Sequence, residues 1–138
     1  MKRNFSFVSM VEIRCEGTEY DLHNDFDCAE VSIKPIEGSL ILVWEARADR
    51  SQKIEIRFES IQYLRLQGVD QDMPRAEDCR LSFAGYLHPD QGDVMDGFVE
   101  DNGSMEGYHM IFCFEGGLVA KVLSRTVECR ALGPSMQS

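Results

Sequence analysis

Ile54-Glu55-Ile56-Arg57-Phe58-Glu59 alternates apolar and charged side chains without a break. Successive side chains of a strand point to opposite faces, so a period of two puts Ile54, Ile56 and Phe58 on one face and the charges on the other. That is a half-buried strand. Helix is the competing reading for residues 58–66, and Gly68 ends either version. Upstream, Arg47 to Lys53 reads as a polar hairpin loop. Before it, Leu40-Ile41-Leu42-Val43-Trp44 is a continuous apolar run of strand length, which suggests a strand covered on both faces or one deep in a sheet.

The same signals recur outward. Phe5 to Arg14 alternates with a blurred middle at Ser9-Met10, and Cys28 to Ile33 runs into Pro35 and the turn Glu37-Gly38-Ser39. Gln67 to Asp78 is loop-like. Cys79, Leu81 and Phe83 alternate with polar residues, and Ala84-Gly85 suggests a bulge. His88 to Gly92 and Asp101 to Ser104 are turns, and Asp93 to Val99 fits a short strand or a helical turn. Tyr108, Met110, Phe112 and Phe114 recur at period two, Glu115-Gly116-Gly117 reverses the chain, and Leu118–Leu123 and Thr126–Leu132 each predict a strand. Turns come about every 8 to 12 residues, and no long amphipathic helix is present. The expectation is an all-β, mostly antiparallel fold: a single small barrel or sandwich of about eight to ten strands, with at most one or two short helices. It occupies residues 1–132, and 133–138 form a tail. At 138 residues such a chain buries roughly two thirds of its unfolded surface.

The charge is unbalanced: 24 acidic against 14 basic residues, a formal net charge of −10. Such a surface repels phosphate backbones and anionic headgroups, which argues against nucleic acid and membranes. No apolar run reaches the length of about 20 residues that crosses a bilayer. Five scattered cysteines, odd in number and without a C-x-x-C pair, suggest free thiols and a cytoplasmic location.

No catalytic, metal or cofactor motif emerges. His23, His88 and His109 stand in no nucleophile frame, although a remote Cys–His pairing would meet only in space. His88, Asp90, Asp93 and Asp96 offer ligands, but every third position does not fit an EF-hand loop. A solvated acidic loop is the simpler reading. The glycines match no phosphate-binding motif. Neither a cofactor nor a metal is expected.

Charge placement says more. Leu81 to Ala120 contains no Lys or Arg but holds Asp90, Asp93, Asp96, Glu100, Asp101, Glu106 and Glu115. Cys15 to Ile33 repeats the pattern with Glu16, Glu19, Asp21, Asp25, Asp27 and Glu30. Most of these acids fall in turns, where they serve either solubility or the steering of a basic protein partner. The candidate contact residues are Asp90, Asp93, Asp96, Glu100 and Asp101, then Asp21, Asp25 and Asp27. Trp44, Phe58 and Phe112 sit at strand spacing and read as core, or as the lining of a ligand cavity should the sheet close as a barrel.

The runs Leu40–Trp44, Gln52–Phe58, Ile61–Leu64 and Gly107–Leu118 resemble those of small bacterial cytosolic domains of unassigned function, some of them similar to immunity proteins. The resemblance spans residues 38–132 and rests on strand pattern, size and acidity. It implies a non-enzymatic domain that neutralises a basic toxin or nuclease by binding it. A small-ligand barrel and a self-associating subunit, monomer or homodimer, are the alternatives.

Overall fold

The computed structural model describes residues 1–68, 80–88, 98–103 and 105–133. Among them every regular element is a strand: β1 Lys2–Arg3, β2 Phe5–Phe7, β3 Glu12–Cys15, β4 Thr18–Asp21, β5 Phe26–Lys34, β6 Ser39–Ala46, β7 Lys53–Gln67, β8 Leu81–Leu87, β9 Phe98–Val99, β10 His109–Phe114 and β11 Val119–Leu132. The larger sheet runs β5-β6-β7-β11-β10-β8-β9 and curls as a half barrel. β1 joins it by a parallel pairing with β11, and every other pairing is antiparallel. β2-β3-β4 form a second, three-stranded sheet. No helix among the described residues is long and apolar enough to cross a membrane.

The decisive alternation lies in β7, and the strand reading of 58–66 holds. Ile54, Ile56 and Phe58 are fully buried on the inner face. On the outer face Glu55 accepts hydrogen bonds from Arg130 Nη2 at 2.7 Å and Arg57 Nη2 at 3.0 Å. A buried carboxylate needs such partners, because burial alone disfavours its charge. Leu40, Leu42 and Trp44 face the same core, and Ile41 is buried on the opposite face, as the unbroken apolar run predicts.

Four local expectations change. Phe5 to Arg14 is a hairpin rather than one strand. Ser9 Oγ accepts from the Val11 and Glu12 amides, and the Val8 amide bonds back to the Glu12 carbonyl at 2.8 Å. Ser9 thus offers the backbone a turn where the alternation blurred. β4 was not foreseen; the reversal before it uses Glu16 at φ 54° and Gly17 at φ 82°, the left-handed pair that a two-residue hairpin needs. The bulge of β8 falls at Ser82, which the register passes over between Cys113↔Phe83 and Phe114↔Leu81, while Gly85 pairs regularly with Ile111. The two strands expected over 118–132 are one, β11, irregular between Leu123 and Ser124.

That irregularity has a matching one in β7. The register passes from Tyr63↔Leu123 to Ile61↔Ser124 and then to Glu59↔Thr126, stepping over Gln62, Ser60 and Arg125. Ser60 takes a φ of 55°, and the next amide, Ile61 N–H, bonds to the Gly38 carbonyl at 3.0 Å. Bulges bend a strand pair and re-aim the side chains within it. Here they let one long ribbon serve both halves of the curled sheet.

Phe112 sits where the two sheets meet. Its ring lies 6.2 Å from Phe7, 5.7 Å from Trp44 and 6.1 Å from Phe58, centroid to centroid. The rings of Trp44, Phe58 and Phe112 are all fully buried and fill the space between them. Phe112→Ala is expected to lower the unfolding free energy by about 3–5 kcal/mol, and Phe112→Leu by less, in denaturant titrations.

Candidate functional site

The sequence-selected acids have different fates. Asp90, Asp93 and Asp96 lie outside the described residues. Glu100 follows β9 and is exposed. Asp101, its neighbour, turns inward: both its oxygens accept from the Arg3 guanidinium, with Nη2···Oδ1 at 2.8 Å. The same carboxylate accepts the Phe7 amide at 3.0 Å and the Gly103 amide at 2.9 Å. Gly103 can close this turn because it takes a φ of 90°. Arg3 Nη1 also donates to the Tyr86 hydroxyl at 2.7 Å. Asp101 is therefore the post that ties β1, β2 and the turn after β9 together.

The second acidic group divides likewise. Asp21 accepts the His23 and Asn24 amides at 3.0 and 2.8 Å, and so closes the turn after β4. Asp27 is bound by Arg47 Nε and Arg50 Nη2, each at 3.0 Å. Asp25 stays exposed, while its carbonyl accepts the Arg47 amide at 2.9 Å. Asp21, Asp25 and Asp27 thus share one corner, where only Asp25 is left to face outward with its charge uncommitted among the contacts just described.

Beside Glu100 the structure places two residues that sequence reasoning did not select. Val8 and Met10, at the tip of the β2–β3 hairpin, are 44% and 50% exposed. The Ala84 amide donates to the Met10 carbonyl at 2.6 Å and pins the tip against β8. Val8, Met10, Ala84, Glu100 and Asp101 border one shallow hollow. The signal was present in the sequence as two apolar residues at the break in the Phe5–Arg14 alternation.

The described histidines and thiols are held by local contacts and burial. His23 Nδ1 lies 2.5 Å from the Leu81 carbonyl oxygen. His109 stacks on Tyr63 with 4.8 Å between centroids. Burial, then the Lys121 charge, hold its pKa below the ordinary value. Cys15 and Cys129 are both buried; the neighbouring Cys15 thiol and then burial push the Cys129 thiol far up, while Cys129 in turn holds Cys15 below its ordinary value. Burial alone pushes Cys113 up to about 11. Among the described cysteines Cys28 is the half-buried one. Compared with protein-family models, with curated proteins and with solved structures, the chain matches none.

Two outcomes follow. Alkylation needs access to the sulfur as well as a thiolate, so iodoacetamide under native conditions should modify half-buried Cys28 well before the buried Cys15, Cys113 or Cys129, as mass spectrometry of the peptides would show. Asp101 is the acid-sensitive element. Burial by itself would raise its pKa, but the Arg3 bond and then the Phe7 and Gly103 amides outweigh it and hold the group below the usual carboxylate value. A pKa depressed on folding contributes stability that is full above the unfolded value, about 3.9, and is lost as pH falls through the folded one. Asp101→Asn leaves Arg3 without its counter-charge and should cost about 3 kcal/mol at neutral pH. The variant should lose less further stability than the parent between about pH 4 and pH 2, which thermal melts would record.

Proposed function

We propose that this chain is a non-catalytic binding domain for a basic protein partner, an immunity-type inhibitor that masks the partner's cationic surface. The observation that carries the reading is the pinned hairpin tip: Val8 and Met10 stand exposed beside Glu100, at the edge of the base-free segment. An interface gains affinity from desolvated apolar anchors, whereas surrounding charges set association rate and orientation. An apolar tip with an acidic rim supplies both parts.

The charge ledger of the surface favours the same partner. Arg3, Arg14, Arg47, Arg50, Lys53, Arg57, Arg80 and Arg130 all pair with carboxylates of their own chain. What the chain offers outward is therefore biased toward acid, with Glu100 and Asp25 as described members and Asp90, Asp93 and Asp96 as the remaining residues assigned to the contact. The resemblance in strand pattern and acidity to immunity proteins supports the reading further.

Co-expression with the products of neighbouring reading frames tests it. A basic product should co-purify in a stable complex, with an association rate that falls as salt rises. Met10→Asp should weaken that complex about tenfold or more, and Glu100→Lys should slow association. A complex indifferent to salt and to both substitutions, or no complex with any basic neighbour, would refute the proposal.

A further inference from the structure

The bulged crossing of β7 and β11 opens a cleft of about 630 Å³ between β1, the crossing and the turn at Met105–Gly107. Its position follows from the register. Gln62, the extra residue of the β7 bulge, lines it, as do Ser124 and Arg125 on the facing strand β11. The bulge therefore sits at the wall of a concavity. That volume falls in the range of small-molecule sites.

The lining runs against the charge of the chain. Among the described residues Lys2, Arg3 and Arg125 line the cleft with Glu106 as the one acidic side chain, and the Arg3 charge is already matched by Asp101 behind it. Lys2 pairs in register with Thr126, so it stands next to Arg125 across the β1–β11 ladder. Arg3 is held rigidly by Asp101 and Tyr86, which use three of the five N–H groups of its guanidinium. Tyr86 accepts that bond and retains its own proton: burial first, opposed by Arg3, puts its pKa at about 12, so the hydroxyl is a donor at neutral pH. Met105 and Leu123 add apolar walls.

From this lining we infer that the cleft binds a small organic phosphate, its phosphoryl group among Lys2, Arg3 and Arg125 and its apolar body against Met105 and Leu123. Arginine forks and a lysine point charge match a doubly charged oxyanion, and a fixed guanidinium loses little freedom on binding it. The cleft shares no lining residue with the Val8–Met10 tip, so the two surfaces stand or fall separately.

Isothermal titration at low ionic strength, with phenyl phosphate and inorganic phosphate as probes, decides the matter. Phenyl phosphate should bind one to one and more tightly than inorganic phosphate. Lys2→Ala and Arg125→Ala, both at exposed positions, should each weaken it about tenfold, the loss of one charge-assisted hydrogen bond. Glu106→Gln should tighten binding, and Lys34→Ala, outside the cleft, should leave it unchanged. Melting curves of each variant separate lost binding from lost folding. No saturable binding of phenyl phosphate, equal affinity for the two probes, or affinity indifferent to Lys2→Ala and Arg125→Ala in folded protein would overturn the assignment.

Discussion

The antiparallel pairing of β7 with β11, from Lys53↔Leu132 to Gln67↔Val119, fixes where every other element can go. β6 is added on one side, β10 on the other, and β1 docks along Thr126–Val127. A ribbon that long cannot stay flat, because strands twist and a curling sheet must bend them. The residues skipped around Ser60, Gln62 and Arg125 absorb that bend, and the aromatic cluster around Phe112 fills the concave side that it creates.

Much of this was legible in the sequence because the period of two is enforced by burial. Ile54, Ile56 and Phe58 had to share a face, and so did Leu40, Leu42 and Trp44. Punctuation was harder to read. Ser9 turns the chain by accepting two amides, a local bond that leaves little trace in hydropathy. Glu16-Gly17 is a hairpin turn whose first residue is not a usual left-handed one. The fusion of 118–123 with 126–132 was hidden because a bulge and a turn both interrupt alternation, and only long-range pairing distinguishes them.

The acids teach a related lesson. Counting them located a surplus, but a count cannot separate a carboxylate that holds the fold from one that faces solvent. Asp101 and Asp27 are consumed by arginines far away in sequence, Arg3 and Arg47, whereas Glu100 and Asp25, each near one of them, stay exposed. Partners at such separation are invisible to any local window. For the same reason the cleft could not be read from the sequence, since its cations come from the first and last strands.

The parallel ladder of β1 on β11 has a consequence for how the chain is made. Lys2 and Arg3 are made well before their partners, Thr126 and Val127, which come more than a hundred positions later. Until then Arg3 has Asp101 only once the turn after β9 has emerged, and Asn4 waits for Cys129, whose amide and carbonyl it clasps at 2.7 and 3.0 Å. Contacts this distant place the domain at the slow end of folding, where loop closure must precede reward. Until β11 is made, the strands already synthesised present unpaired edges, which exposes the nascent chain to aggregation.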